Sequence, residues 1–357
     1  MRIVLCYPVE PRHLEQIAAA APRAELVNAG QERIAEELFE ADIYCGHAKV
    51  PVDWPGVVRR GRLRWIQSSA AGMDHCLVPA VVQSDIVVTS ASGVLADQVA
   101  EHTIGLLIAW CRNLPTFFKA QQNREFIRRP TRDLTGHTVG LVGFGGVGRR
   151  LAELLRVFET RILATDLFPV EKPDYVEALW PADRLDEMLP QVDVLVLCVP
   201  LSESTRGMFD RAMLEKLKPG ALLANMARGP LVVEVDLAAA LDEGRLAGAV
   251  LDVTDPEPLP PASTLWDRPN VIITPHVAGQ SAWRIDAMTD LFCRNLARWQ
   301  AGQPLINLLS NKRLGFPIRG AGTPIWGDAE IQRPKPLAPE PHSEPFVETY
   351  PESWHAK

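Results

Sequence analysis

TVGLVGFGGVGRRLAELL, residues 138–155, combines a short apolar run, a glycine-rich turn and the opening of a helix. The run is rich in the aliphatic residues of a buried strand, and Gly143, Gly145 and Gly148 follow it in the pattern GxGxxG. A strand, a glycine turn and a helix in direct succession are typical of the first unit of a doubly wound parallel sheet. The stretch therefore predicts an α/β fold.

The glycine turn also predicts a dinucleotide site. In such a site the first glycine permits a tight turn, the second lets a pyrophosphate approach the backbone, and the third lets helix and strand pack closely. The helix N-terminus adds free N–H groups and a partial positive charge. Cofactor contacts are predicted for the whole turn, namely Gly143, Gly145, Gly146, Val147 and Gly148. The alternative is a glycine cluster that serves only the backbone.

Asp166 bears on which dinucleotide binds. It ends the next apolar run, RILATD, eighteen residues after Gly148. A carboxylate at that place can accept hydrogen bonds from the adenosine ribose, and it repels a 2′-phosphate. The next three residues, LFP, include no arginine or lysine. The sequence therefore predicts NAD rather than NADP.

Apolar runs alternate with helical patterns on both sides of this stretch. The earlier runs are IVLCY, ADIYC, LRWIQSS and DIVVTS, and those from residue 138 onward are TVGLVGF, RILATD, VDVLVLCVP, ALLANMA, LAGAVLDV and VIITP. This alternation predicts parallel sheets, so the expected fold class is α/β with two Rossmann-like, doubly wound domains. Between the two series, residues 96–110 predict a long buried helix.

Three later strand ends carry polar side chains. Arg228 follows ALLANMA, Glu257 lies a few residues beyond the run that ends at Asp252, and His276 follows VIITP. Residues 271–274 are all β-formers and predict a buried strand, which the following proline ends. The C-terminal ends of strands in one parallel sheet converge on one crevice, so we expect the three side chains near the nicotinamide.

These residue types suit the reduction of a 2-oxo acid. Histidine can donate a proton to the carbonyl oxygen in one direction and accept it in the other. A carboxylate at its second ring nitrogen orients the ring and favours its protonated form. Arginine offers a planar fork of donors to a carboxylate. Taken singly, each has another explanation: a surface arginine, a solvated acidic loop and a structural histidine at a turn.

Composition argues against several other classes. A net charge of −7 over 357 residues disfavours nucleic acid or an anionic membrane surface as the partner. No window approaches the ~18 consecutive apolar residues of a membrane span. The six cysteines are scattered without a CxxC pair, which disfavours a disulfide framework or a metal site and favours a cytoplasmic protein.

Seven stretches resemble the D-isomer-specific 2-hydroxyacid dehydrogenases, an NAD-dependent family that includes glyoxylate/hydroxypyruvate reductases and phosphoglycerate dehydrogenases. The resemblance extends over residues 40–310. The stretches are QSSAAGMDH (67–75), ASGVLADQVAEHTIGLL (91–107), GFGGVG (143–148), CVPLSESTRGMFD (198–210), NMARGPLVVEVDLAAAL (225–241), AGAVLDVTDPEP (247–258) and TPHVAG (274–279).

The resemblance implies a role for each candidate residue. Arg228 would bind the substrate, Glu257 would pair with the histidine, and His276 would be the proton donor. The N–H groups of Ala71 and Gly72 would hold the substrate carboxylate. Cofactor contacts beyond the glycine turn are implied for Asp166, Val199, Pro200, Thr205, Met226, Arg228, Asp252, His276 and Gly279.

The resemblance also implies the order of the domains. Residues 1–95 and 283–310 would form the substrate domain, with the NAD-binding domain, residues 96–282, inserted between them. Family members are commonly homodimers, so a homodimer is expected. Residues 311–357 hold eight prolines and few aliphatic residues, and they predict a proline-rich C-terminal extension that buries little surface.

Two questions stay open at this level. The sequence does not select among glyoxylate, hydroxypyruvate, 3-phosphoglycerate and bulkier acids, although relatives that use formate or phosphite differ at the positions of Glu257 and Ala71. Some relatives of this fold are NADH-binding corepressors that keep the same three polar residues. The prediction is an NAD-dependent oxidoreductase that acts on the CH–OH group of a D-2-hydroxy acid, with a corepressor-like scaffold as the alternative.

Overall fold

The structure is a computed structural model that describes residues 1–320, 322 and 324–327. These residues form two compact units. The first consists of Met1–Leu95 and the described residues from Ser281 onward, and the second is Ala96–Gln280. The chain therefore leaves the first unit once and returns to it.

Strands and α-helices alternate along most of the described chain. The strands are β1 Arg2–Cys6, β2 Glu25–Asn28, β3 Ile43–Gly46, β4 Trp65–Ser68, β5 Val87–Thr89, β6 Thr138–Val142, β7 Arg161–Asp166, β8 Ala178–Pro181, β9 Val194–Leu197, β10 Ala221–Asn225, β11 Leu246–Leu251 and β12 Val271–Ile273. The helices are α1 Pro11–Ala20, α2 Gly30–Glu37, α3 Trp54–Arg60, α4 Pro79–Val82, α5 Ala96–Cys111, α6 Leu114–Gln122, α7 Gly146–Leu155, α8 Leu185–Met188, α9 Arg211–Lys216, α10 Glu234–Asp242 and α11 Arg284–Gln300.

The first unit is built on a five-stranded parallel sheet in the order β2-β1-β3-β4-β5. Successive residues of β1 point to opposite faces, because side chains alternate along a strand. Ile3 and Leu5 belong to one buried cluster, which α11 also lines, and Val4 and Cys6 belong to another. Both faces of this sheet are therefore covered, as parallel sheets require.

The second unit is built on a seven-stranded parallel sheet in the order β12-β11-β10-β9-β6-β7-β8. The chain enters at β6, winds to one edge through β7 and β8, and then runs from β9 to the other edge. The winding reverses between β6 and β9, and ligands of such sheets bind at the C-terminal ends of the strands around this point. The predicted α/β class with two doubly wound parallel sheets is confirmed.

The edge strands differ most from the sequence-based expectation. The patterns do not predict β2 or β8, whose side chains are mostly half-buried or exposed. The strand predicted at 271–274 is present as β12 and ends one residue earlier, at Ile273, but its predicted burial is wrong, because its side chains are half-buried. Among the described strands it pairs with β11 alone, and it forms one edge of the sheet. An edge strand has a neighbour on one side only, so its β-forming residues do not ensure burial.

The prediction for the C-terminal extension is wrong for its first part. Ile325 and Trp326 are only 6% and 2% exposed. The N–H of Trp326 donates to Asn307 Oδ1 at 2.9 Å, and the N–H of Asn307 donates to the carbonyl of Pro324 at 2.9 Å. One buried indole with these backbone contacts anchors the segment, although it contains few aliphatic residues. Residues 321, 323 and 328–357 of the predicted extension lie outside the described residues.

None of the helices in the described ranges is both long and apolar enough to cross a membrane. All six cysteines are free thiols, of which four are buried and two half-buried. Burial raises the pKa of Cys6, Cys198 and Cys293 to about 12. These thiols therefore stay protonated at neutral pH and are poor nucleophiles.

A buried polar cluster ties the returning chain to the N-terminal sheet of the first unit. Asn295, on α11, donates from Nδ2 to Gln67 Oε1 at 2.9 Å and to the carbonyl of Ile306 at 3.1 Å. Its Oδ1 accepts the N–H of Ile306 at 2.7 Å. Thr89 Oγ1 donates to the same Gln67 oxygen at 2.8 Å. Asn295 is fully buried, so its removal leaves several polar groups without water or a partner.

We therefore expect Asn295→Leu to lower the free energy of unfolding by about 2 to 4 kcal/mol, since each unsatisfied buried group costs about 1–3 kcal/mol. Gln303→Leu is the matched control, because Gln303 is exposed. Urea unfolding followed by circular dichroism measures both. Equal unfolding midpoints for the two variants would contradict the role assigned to Asn295.

Candidate active site

The glycine turn joins β6 to α7, and its three motif glycines are not equivalent. Gly143 has a left-handed φ of +98°, and a Cβ there would lie 2.9 Å from the carbonyl group of Cys198. A Cβ on Gly148 would lie 2.2 Å from the carbonyl oxygen of Gly143. Nothing lies within 4 Å of a Cβ placed on Gly145, the N-cap residue of α7. The fold requires the first and third glycines, and the second faces open space at a helix N-terminus.

Asp166 ends β7, and its carboxylate joins two loops. Oδ2 accepts the N–H of Phe144 at 2.7 Å, and Oδ1 accepts the N–H of Phe168 at 2.9 Å. The guanidinium of Arg149 lies over the Phe144 ring, 4.6 Å from its centroid. The carboxylate is therefore fixed beside the glycine turn, in the position that suits an adenosine ribose.

The loop after β9 borders the same turn. A Cβ on Gly143 would lie 3.0 Å from the side chain of Val199. Within this loop, Thr205 Oγ1 donates to the carbonyl of Pro200 at 2.8 Å and accepts the N–H of Ser202 at 2.8 Å. The Thr205 hydroxyl therefore stabilises the loop itself, and this loop closes one side of the glycine turn.

Arg228 lies in the loop after β10. The buried side chain of Asn225 shapes this loop, because its Oδ1 accepts the N–H of Ala227 at 3.1 Å and its Nδ2 donates to the carbonyl of Arg228 at 2.9 Å. A Cβ on Gly229 would lie 1.8 Å from the carbonyl oxygen of Thr254. Only glycine permits this approach, which places the Arg228 loop against the loop after β11.

Asp252, directly after β11, is a buried carboxylate that is 2% exposed. Its Oδ1 accepts the hydroxyl of Thr274 at 2.6 Å and the N–H of Val277 at 2.9 Å, and its Oδ2 accepts the N–H of Ala278 at 2.9 Å. His102 Nε2, from α5, lies 3.5 Å from Oδ1. Burial alone would raise the pKa of Asp252, but these donors outweigh burial and lower it. Asp252 is therefore ionised at neutral pH and holds the loop after β12.

His276 lies in that loop and pairs with Glu257. The distance from His276 Nδ1 to Glu257 Oε2 is 3.0 Å, and Glu257 Oε1 accepts the N–H of Thr254 at 3.2 Å. The two side chains are 46% and 37% exposed. No described residue of this unit hydrogen-bonds His276 Nε2. A carboxylate thus orients one ring nitrogen and leaves the other open.

The structure brings Arg228, Glu257 and His276 to the C-terminal ends of the adjacent strands β10, β11 and β12, as the sequence predicts. Met226 and Gly279 lie in the loops after β10 and β12 at the same edge, and Met226 is buried. All these residues belong to the second unit. The three candidate catalytic side chains and the glycine turn therefore lie on the same side of one sheet, at the C-terminal ends of its strands.

Ala71 and Gly72 lie in the first unit, in the loop after β4. Ser68 Oγ accepts the N–H of Ala70 at 3.0 Å, and the carbonyl of Ala70 accepts the N–H of Ala91 at 3.0 Å. Among the described residues of this unit, none accepts a hydrogen bond from the N–H of Ala71 or Gly72. These two donors are therefore available to a ligand such as a carboxylate.

Sequence reasoning missed three residues that build this edge: His102, Asn225 and Thr274. Asn225 and Thr274 stand at strand ends, and a polar residue in that place was a usable signal. His102 is a polar residue that precedes the mostly apolar second half of its helix, which also marks it. Their partners are distant in sequence, so their hydrogen bonds could not be assigned without the fold.

Comparison with known proteins gives the family. Residues 104–278 match the family model described as "D-isomer specific 2-hydroxyacid dehydrogenase, NAD binding domain". A glyoxylate reductase from Thermofilum pendens is 37% identical over 245 residues, which cover 66% of this chain and 71% of that protein. A glycerate dehydrogenase from Methylorubrum extorquens is 31% identical over 283 residues, 76% of this chain and 87% of that protein.

A solved structure agrees with these relatives. The NADPH-dependent glyoxylate/hydroxypyruvate reductase from Sinorhizobium meliloti, solved with NADP and sulfate, superposes with a TM-score of 0.75 at 27% identity. The match covers 88% of this chain and 99% of that one. The resemblance that the sequence motifs indicated is confirmed, and the chain belongs to the D-isomer-specific 2-hydroxyacid dehydrogenase family.

Proposed function

We propose that this protein interconverts a 2-oxo acid and a D-2-hydroxy acid, with NAD(H) as its cofactor. The observation that carries the proposal is the 3.0 Å contact between His276 Nδ1 and Glu257 Oε2, at the same sheet edge as the glycine turn. An oriented imidazole whose second nitrogen is open suits general acid–base catalysis. Membership of the family supports the reaction class.

His276 moves the proton in this proposal. In reduction, the protonated ring donates from Nε2 to the carbonyl oxygen of the substrate, and in oxidation the neutral ring accepts the hydroxyl proton at Nε2. Glu257 accepts a hydrogen bond from Nδ1, so the Nδ1 proton stays in place while Nε2 exchanges its own. The bound nicotinamide supplies the hydride in reduction and accepts it in oxidation.

Arg228 binds the substrate in this proposal. A guanidinium presents parallel donors that match a carboxylate, and it can also polarise a neighbouring carbonyl. The close approach at Gly229 supports this role, because it holds the Arg228 loop against the segment that leads to Glu257. The binding of the substrate carboxylate by the N–H groups of Ala71 and Gly72 stays a prediction.

The dinucleotide would lie along the loops at this edge. Its pyrophosphate suits the open space at Gly145 and the free N–H groups of the first turn of α7. Asp252 Oδ2 accepts one hydrogen bond from the described residues and keeps a lone pair for the carboxamide of the nicotinamide. The remaining proposed contacts are Gly143, Gly146, Val147, Gly148, Asp166, Val199, Pro200, Thr205, Met226, Arg228, His276 and Gly279.

A homodimer and a cytoplasmic location complete the proposal. Phe118 on α6 and Phe126 after it are 57% and 94% exposed, and exposed aromatic side chains favour a surface that a second subunit covers. The cytoplasm is inferred from the scattered cysteines.

The first test is the oxidation of NADH with a panel of 2-oxo acids that begins with glyoxylate and hydroxypyruvate. We expect the wild type to reduce at least one of them. We expect His276→Gln to lower kcat by about 10²-fold or more, the scale of losing a positioned acid, with the Kd for NADH changed by less than about twofold.

His137→Gln is the matched control, because His137 directly precedes β6 and so lies at the N-terminal ends of the strands, away from the proposed site. If His276→Gln weakened NADH binding as much as it lowered kcat, His276 would be a structural residue. A wild type that binds NADH and reduces none of the acids would favour the corepressor-like scaffold.

The second prediction concerns the cofactor. We expect kcat/KM to be higher with NADH than with NADPH, since the Asp166 carboxylate would repel a 2′-phosphate. Asp166→Ser with Leu167→Arg should narrow or reverse this preference. It should also weaken NADH binding, because Asp166 holds the N–H of Phe144. A wild type that prefers NADPH would overturn the proposed preference for NADH. Arg149 would then be the nearby cation to replace, in order to test whether it binds the 2′-phosphate.

The third prediction separates the two kinds of glycine. Gly145→Ala should fold normally but weaken NADH binding by about tenfold or more, because its methyl group would occupy the space of the pyrophosphate. Gly148→Ala should lower the melting temperature itself, since its Cβ would meet the carbonyl of Gly143 at 2.2 Å. Thermal unfolding and NADH fluorescence titration measure both effects. Undiminished NADH binding by Gly145→Ala would place the dinucleotide elsewhere.

A further inference from the structure

His276 follows the shortest strand of the second unit's sheet. β12 has three residues, forms an edge and is half-buried, yet His276 follows it by three residues. The fold therefore needs other contacts to hold the two ends of β12.

Helix α5 supplies a contact at each end of β12. Trp110 Nε1 donates to the carbonyl of Asn270, just before the strand, at 2.9 Å. His102 Nε2 lies 3.1 Å from the hydroxyl of Thr274, just after the strand. Eight helical residues span about 12 Å and four extended residues about 13 Å, so the spacing of the two side chains matches the strand.

The hydrogen-bond directions at Thr274 identify the protonated nitrogen of His102. The Thr274 hydroxyl donates its one hydrogen to Asp252 Oδ1 at 2.6 Å. It can therefore only accept from His102, whose Nε2 must carry a hydrogen. The chain of donors runs from His102 Nε2 through Thr274 Oγ1 to Asp252.

Asp252 in turn binds the backbone around His276. Its side chain accepts the N–H groups of Val277 and Ala278, and its carbonyl accepts the N–H of His276 at 2.7 Å. His276 itself has a left-handed φ of +54°, which is unfavourable for a residue with a Cβ and needs outside support.

We propose that His102 is a positioning residue for His276. Its Nε2–H fixes the Thr274 hydroxyl, the hydroxyl and His102 help to hold the Asp252 carboxylate, and the carboxylate holds the backbone on the C-terminal side of His276. With Trp110 at the other end of β12, α5 thus sets the position of the edge strand and of the ring that follows it. The catalytic consequence rests on the proposed function, whereas the ordering of the loop does not.

The test uses His102→Ala, His102→Gln and Thr274→Val in the full-length protein. A glutamine amide nitrogen can take the place of Nε2 and donate to Thr274, whereas alanine cannot. Thr274→Val keeps the shape and removes the hydroxyl. His137→Ala is the control for the loss of a histidine, and circular dichroism and thermal unfolding establish that each variant folds.

The first measurement is hydrogen–deuterium exchange of the ligand-free protein. We expect His102→Ala to speed exchange of the Val277 and Ala278 amides by about fivefold, the scale of one lost hydrogen bond. His102→Gln should restore the wild-type rate. In a Thr274→Val background, His102→Ala should speed exchange less than it does in the wild type, since the path through Thr274 is already broken and only the direct 3.5 Å contact of His102 with Asp252 is left to lose. Should His102→Ala fail to fold, Thr274→Val carries the same expectation for the two amides.

The second measurement is kcat for the best 2-oxo acid of the panel. We expect His102→Ala to lower kcat by about tenfold, through misplacement of the ring, with the Kd for NADH within about threefold of the wild type. The glutamine variant should recover most of kcat. A purely structural role would move stability alone and would not follow the donor group of the replacement.

The outcomes separate the two proposals. Unchanged amide exchange in His102→Ala, or glutamine behaving like alanine, overturns the role of His102 whatever the activity of the protein. Faster exchange with no turnover by the wild type supports the role of His102 in ordering the loop and overturns the proposed function instead. Faster exchange with unchanged kcat overturns the positioning of His276.

Discussion

The loops that form the proposed active site depend on one group, the buried carboxylate of Asp252. A charged carboxylate cannot stay in an interior without donors, because it has lost its hydration. Here the donors are the hydroxyl of Thr274, two backbone N–H groups and the ring of His102. The need to satisfy Asp252 therefore gathers the loop after β12 around one point. The unfavourable backbone of His276 is held as part of the same arrangement.

A second constraint is steric and acts through missing side chains. A Cβ would collide with carbonyl oxygens at Gly148 and Gly229, at 2.2 Å and 1.8 Å. The first contact brings helix α7 onto the turn that precedes it, and the second brings the Arg228 loop onto the loop after β11. Both place backbone close to backbone at the C-terminal ends of strands. The shape of the proposed active site therefore depends on the missing Cβ atoms of Gly148 and Gly229 as much as on its polar side chains.

The sequence predicted central features better than peripheral ones. The runs of β6, β9, β10 and β11 are mostly apolar, because central strands of a parallel sheet are buried on both faces. The edge strands β2 and β8 carry polar or exposed residues and were not recognised, and β12 was expected to be buried. The segment around Trp326 was missed for a related reason. A few specific contacts anchor this segment, and the average composition of residues 311–357 does not predict them.

The chain alone determined the strand–glycine turn–helix unit, the succession of the two α/β series and the polar residues at three strand ends. Those properties are local, since they rest on the period of apolar residues and on what glycine permits. Only the tertiary structure decided that Gly229 lets two loops meet and that His102 and Trp110 hold the ends of β12. It also gave the 3.0 Å contact between Glu257 and His276, a pairing that the family resemblance had implied. These contacts join residues 19 to 172 positions apart. No periodicity or propensity encodes such a distance, because it arises only when the strands have been ordered in the sheet.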